Sequence, residues 1–189
     1  MKTIPHIHRE ETEEKKSRFL AFLIPFDLYE DELERLRQEH AKANHHVSAF
    51  RYFDQDKRLH EGAKDDGEPS GCAGMPTLKV LQGEDVVNVA VIIVRYFSGI
   101  KLGTGGMARA YAGAAKAVIA SAPLEEFAHQ TSITLNATFE RISDLERLLN
   151  TIPINITDRR YTENGIEIDM NGDEENIRNL GTEWERLNY

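Results

Sequence analysis

The chain has 189 residues, a net charge of −9 and an apolar content of 40%, enough for one good core or two small ones in an ordinary soluble globular protein. That charge disfavours sequence-independent binding to DNA or RNA, which depends on neutralising phosphates with Lys and Arg, but it permits a local basic patch. No apolar stretch approaches the roughly 20 residues of a membrane span, and the polar N-terminus has no apolar signal core, so a cytoplasmic location is expected. Cys72 stands alone, which excludes an internal disulfide and a cysteine-based metal site within one chain; no disulfide-linked partner is expected either.

Residues 17–25 (SRFLAFLIP) are apolar and end at a proline, and read as a buried strand. Asp27 can cap a following helix with Glu30 reaching back, and Tyr29, Leu33, Leu36, His40 and Ala43 recur at helical spacing. His40 is expected as a partly buried polar neighbour. In residues 44–53 (NHHVSAFRYF), Val47, Ala49, Arg51 and Phe53 face one way and His46, Ser48, Phe50 and Tyr52 the other, which predicts a strand. Neighbouring strand residues point to opposite faces, so His45 and His46 cannot readily chelate one ion together.

Residues 54–64 read as a charged hairpin or loop with His60 and Glu61 solvated. The segment that follows, DDGEPSGCAGMP over residues 65–76, holds too many glycines and prolines for a regular element and reads as a structured turn. Its carboxylates, Asp65, Asp66 and Glu68, suit either of two roles. They are candidate oxygen ligands for a hard divalent cation, although the calcium-loop pattern with its closing glutamate is absent. Equally, Asp66 or Glu68 suits capping of backbone amides or pairing with Arg95 or Arg109. Pro76 then starts one or two helical turns over residues 77–81.

Residues 89–122 (VAVIIVRYFSGIKLGTGGMARAYAGAAKAVIASA) organise the rest: an apolar strand, a glycine-rich turn and an alanine-rich helix. The strand is apolar on both faces and is therefore expected to be central, while Gly103, Gly105 and Gly106 let the backbone turn. On a helical wheel from Met107, Ala110, Tyr111, Ala114, Ala117 and Val118 form one side; Arg109, Ala112, Gly113 and Lys116 form the other. The amides and positive dipole end over residues 105–108, with Lys101 before and Arg109 after, suit a phosphate or carboxylate. Tight helix-on-sheet packing accounts for the same small residues. The run lacks GxxxxGK[ST], so it is not a P-loop, and no cofactor is implied.

Residues 120–129 read as a connector, giving domains 1–128 and 129–189. The second begins with a strand at Ile133 and Leu135 and a helix over 139–150 with Phe139, Ile142, Leu145, Leu148 and Leu149 on its apolar face. A hairpin turning at Asn164-Gly165 and a last helix carrying Ile177, Leu180, Trp184 and Leu187 complete it. This βαββα order is the outline of a split βαβ or ferredoxin-like domain. Gly181 either sits within the last helix or ends it, leaving 182–189 for a final strand.

Two blocks, DDGEPSGCAGMP (65–76) and VRYFSGIKLGTGGMARAY (94–111), resemble the signatures of the IMPACT/YigZ family of small cytoplasmic proteins. ANHHVSAF (43–50) and KSRF (16–19) are similar to weaker blocks. Cys72 stands where the family more usually has threonine, and Ser98 replaces the first glycine of a Gly-Gly pair; both are small enough to keep the turn. The resemblance implies an α+β chain, with a first domain like domain 2 of ribosomal protein S5 and a ferredoxin-like second domain. It also implies a link to translation control. Eukaryotic members restrain the kinase that senses amino-acid shortage through an additional domain, and that activity is not carried over; nor are any catalytic residues.

Three readings follow. The first is a non-catalytic module binding RNA, the ribosome or a translation factor, with Arg95, Lys101, Arg109 and Lys116 at the phosphates beside Gly103, Gly105 and Gly106. The second is a protein-only regulator meeting partners through its acidic surface. The third is an enzyme on a phosphorylated or nucleotide ligand, with Asp66 or Glu68 holding a metal or acting as base.

Overall fold

The computed structural model describes residues 1–97 and 99–187, so Ser98 lies outside the described residues. The chain forms two compact units, residues 1–127 and 128–189, and both are of mixed α+β type built on antiparallel sheets. Among the described residues, no helix is long and apolar enough to cross a membrane.

The first unit is a five-stranded sheet in the order β2-β3-β6-β4-β5. Its strands are β2 (His8–Glu14), β3 (Ser17–Pro25), β4 (His45–Phe53), β5 (Leu59–Lys64) and β6 (Val89–Tyr96), and every neighbouring pair is antiparallel. A short ribbon joins β1 (Lys2–Thr3) to β7 (Glu125–Glu126). Strand β6 is central because it is apolar on both faces, as its sequence demands: all of its residues but Tyr96 are buried. Charged β2 takes an edge, where its alternating exposure keeps carboxylates in water.

Alternation along β6 divides the core in two. Val89, Val91 and Ile93 join Phe19, Leu23, Val47 and Ala49 under α2 (Gly74–Gly83) and α3 (Gly103–Ser121). Ala90, Ile92 and Val94 join Phe22 and Ile24 under Tyr29, Leu33 and Leu36 of α1 (Tyr29–Glu39). The sheet is thus sandwiched between one helix and two. On α3 the buried stripe is Met107, Tyr111, Ala114, Ala115, Val118 and Ile119, while Ala117 is half-buried.

Several boundaries differ from the sequence reading. Asp27 makes no cap; it lies in a 3-10 turn over Phe26–Leu28 that leads straight into α1. Of the two readings of residues 54–64, hairpin or loop, the hairpin is the one that forms, because β5 pairs antiparallel along β4. Helix α2 begins at Gly74, two residues before Pro76, since its first amides find a carboxylate partner described below. Gly105 and Gly106 belong to the first turn of α3 rather than to the loop before it; the residue with left-handed backbone is Gly103, at φ +70°.

The second unit has strands β8 (Gln130–Thr138), β9 (Asn155–Thr162) and β10 (Gly165–Asp173) in the order β8-β10-β9, with α4 (Ile142–Leu149) and α5 (Glu174–Leu187). Leu135, Leu145, Ile168, Met170, Leu180 and Trp184 are among its buried core residues. Helix α5 runs unbroken through Gly181, so residues 182–187 are helical, and Asn188 and Tyr189 lie outside the described residues. Phe139, expected on the apolar face of α4, sits in a 3-10 turn and is 59% exposed; Leu187 is 40% exposed. The hairpin loop is Glu163-Asn164, and Gly165 already pairs with Thr162 in the ladder.

Gly165 is required by space: a β-carbon there would come within 1.9 Å of the carbonyl oxygen of Ala137. Gly165→Ala must push β8 and β10 apart, at a cost of about 1–3 kcal/mol. Trp184 is the only tryptophan and lies in this core, so its emission follows the second unit alone during urea unfolding. A lower midpoint in that signal is expected; an unchanged midpoint refutes the clash.

Candidate functional site

The two sequence blocks at residues 65–76 and 94–111 meet around one oxygen atom. Glu68, in the acidic turn, is buried, and its Oε1 accepts a hydrogen bond from Arg95 Nη1 at 2.5 Å. The hydroxyl of Tyr111, fully buried on α3, donates to the same oxygen at 2.7 Å. His45 Nε2 lies 3.6 Å away, and its Nδ1 is 2.8 Å from the Asp66 carbonyl oxygen. Burial and the Glu68 carboxylate together push the Tyr111 phenol up, so this hydroxyl stays protonated and donates.

Parity puts these groups together. Arg95 follows Val89, Val91 and Ile93 on the face of β6 beneath α3, and the register sets Phe19 of β3 and His45 of β4 beside it. The guanidinium carbon lies over the ring of Phe19 at 5.5 Å and over that of Phe97 at 5.3 Å, and Nη1 reaches Met107 Sδ at 3.6 Å. Arg95 Nε is buried and has no hydrogen-bond partner. The guanidinium is therefore inside the protein. Arg95 was expected among the cations facing a phosphate; at 4% exposure and paired with Glu68 it does not face outward.

The other carboxylates of the turn have separate partners. Asp65 accepts from the backbone amides of Gly71, Ala73 and Gly74, which caps α2 from outside that helix. Burial alone would raise its pKa, yet the three amides hold it below the usual carboxylate value. Asp66 accepts from the His46 amide at 2.6 Å and from Arg37 at 3.3 Å. Among the described residues, no three His, Cys, Asp or Glu side chains are grouped to hold a metal ion.

The two histidines point apart, as their alternation on β4 requires. His46 packs toward α1, where the Leu36 carbonyl, Arg37, His40 and Asp66 surround it, and its Nε2 is buried without a partner. His40, at the end of α1, is half-buried and hydrogen-bonded to the Tyr96 hydroxyl at 2.9 Å. His60 lies against Asp54 at 2.6 Å, and Glu61 pairs with Arg51, whose guanidinium is buried.

Lys101, Arg109 and Lys116 are exposed. Among the described residues, Arg109 enters no ion pair, whereas every other arginine except Arg9 does. A β-carbon at Gly105 would lie 3.6 Å from Arg109 Nη1, so the guanidinium folds back over the first turn of α3, where no side chain caps the amides. Arg109 also lines a groove of about 370 Å³ between α3 and the β2–β3 turn, floored by Gly106, Ala110 and Ala114 and walled by Glu13 and Glu14.

Removing the carboxylate leaves Arg95 as an uncompensated buried charge, so Glu68→Ala is expected to cost about 3–5 kcal/mol. Tyr111→Phe, which removes one hydrogen bond to a charged group, should cost about 1.5–3 kcal/mol. Urea unfolding followed by far-ultraviolet circular dichroism measures both, and a loss from Glu68→Ala below that from Tyr111→Phe would show that the pair is not the anchor. Burial also lowers the pKa of His46, chiefly by desolvation, with Asp66 opposing. The unfolded chain therefore takes up this proton first, and stability is lost as pH falls below the ordinary histidine value of about 6.5. A His46→Asn variant should have a flatter stability profile between neutral pH and about pH 5.5, and parallel profiles would contradict this.

Residues 15–119 match the Impact N-terminal domain. The chain is 36% identical over 138 residues to the IMPACT family member YigZ of Escherichia coli strain K12, covering 71% of this chain and 68% of that one. To an IMPACT family member of Haemophilus influenzae it is 32% identical over 157 residues, covering 82% and 76%. A solved structure described as the crystal structure of a hypothetical protein superposes with a TM-score of 0.66 at 27% identity, covering 98% of this chain and 91% of that one. The matched segment contains both blocks that converge on Glu68, and the chain belongs to the IMPACT family.

Proposed function

We propose that this IMPACT-family chain is a non-catalytic cytoplasmic binding protein that regulates translation by contacting RNA, alone or within the ribosome, through the start of α3. The observation that carries this reading is Arg109, exposed, unpaired and folded over uncapped amides at a helix N-terminus. Lys101, before α3, and Lys116, seven residues after Arg109 on the helix, are also exposed on a molecule of net charge −9. Glu13 and Glu14, with Lys15 beside them, give the facing wall of the groove mixed charge, which favours a few positioned phosphates over general affinity. Of the two carboxylates offered as an enzyme's base, Glu68 is engaged by Arg95 and Tyr111, and Asp66 by the His46 amide and Arg37.

The likeness of the first unit to domain 2 of ribosomal protein S5 is part of the same proposal. So is a ferredoxin-like second unit, which the antiparallel order β8-β10-β9 with α4 and α5 supports.

Titration of labelled single-stranded RNA at several salt concentrations tests the patch. Arg109→Ala should weaken binding several-fold and lower the salt slope by about 0.7, the loss of one phosphate contact on a single strand. Identical affinity and slope for the variant and the parent protein would overturn the assignment of this surface.

A further inference from the structure

Phe97 follows the last residue of β6 and is 42% exposed, yet it is held at two points. Its backbone amide donates to Asn44 Oδ1 at 2.8 Å. Its ring lies over the guanidinium of Arg95, 5.3 Å from ring centroid to Cζ. That guanidinium cannot move away, because Glu68 binds it and the buried Phe19 ring also lies over it at 5.5 Å. Phe97 thus has a fixed aromatic surface with a cation beneath it and much of the rest open to water.

From these contacts we propose that Phe97 is a stacking platform for one unpaired base of single-stranded RNA. The proposal rests on the RNA reading above and narrows it to single strands. A fixed ring offers a base a flat partner with no ordering cost, and base–aromatic stacking is worth about 1–3 kcal/mol per base. Bases inside a duplex are already stacked on each other and cannot use it. Ile100, 43% exposed, and Lys101, also exposed, follow within four residues along the chain. One ring and one isoleucine beside Gly99 and Lys101 are far smaller than the roughly 800 Å² per partner that a stable protein interface buries. A nucleobase needs no more than this.

The test compares one labelled single-stranded oligonucleotide with its duplex, using the full chain and three variants. Phe97→Ala and Phe97→Leu should each bind the single strand about thirtyfold more weakly, the middle of the range for one stacked base, with an unchanged salt slope. Leucine keeps the apolar bulk but not the flat face. Phe97→Trp should bind at least as tightly as the parent. Thermal melting verifies that each variant is folded. Undiminished binding by Phe97→Ala, or equal affinity of the parent for single strand and duplex, overturns the platform and leaves the phosphate reading of Arg109 standing. A parent protein that binds no RNA overturns both.

Discussion

The first unit turns on a carboxylate and a guanidinium that have both been taken out of water. Glu68 and Arg95 are each less than 10% exposed, and neither tolerates that position without the other. Desolvation of the two ions is offset by their short hydrogen bond, by the Tyr111 hydroxyl and by the flanking Phe19 ring. The pair therefore adds little net stability compared with apolar packing, but it specifies an arrangement. An irregular turn, the central strand and the long helix are fixed to one another at a single oxygen.

Much of the surrounding structure follows from that fixed point. The turn that delivers Glu68 also delivers Asp65 to the amides at the start of α2 and Asp66 to the amide of His46, so one glycine- and proline-rich segment ties α2 and β4 together. The strand that delivers Arg95 carries Phe97 two residues on, beyond its end, and the guanidinium supports both the buried Phe19 and the open Phe97. The helix that delivers Tyr111 presents Arg109 outward two residues earlier. The interior ion pair and the exposed face are thus two sides of the same short stretches of chain.

This division separates two kinds of positive charge. Arg95 and Arg51 serve the fold: each is buried, and each is neutralised by a glutamate from the neighbouring segment. Arg109, with Lys101 and Lys116, remains at the surface of an acidic molecule, and Glu13 and Glu14 line the groove beside Arg109. Recognition by such a surface is expected to be salt-sensitive and local. The family resemblance and this geometry lead to the same stretch of chain.

Periodicity alone determined that β6 would be central, that β4 would separate its two histidines, and that α1 and α3 would each bury one stripe, because side-chain direction in regular elements is fixed by the backbone repeat. The same alternation contained an unused signal: Arg95 shares its parity with Val89, Val91 and Ile93, which marks it as inward-facing. The acidic turn offered Asp66 or Glu68 as caps for backbone amides or as partners of Arg95 or Arg109, and Glu68 with Arg95 and Asp66 with the His46 amide are the pairings that form; no local pattern chose among them. That Asp65 caps α2 depends on the path of a turn, and that β5 is a strand depends on a neighbour to pair with. The start of α3 at Gly103 and its continuation to Ser121 were likewise set by packing on the sheet rather than by the glycines, whose own preference is to turn. The sequence determined which faces are apolar; only the tertiary structure decided which charges are buried together and which remain outside, because desolvation depends on contacts between residues distant in the chain.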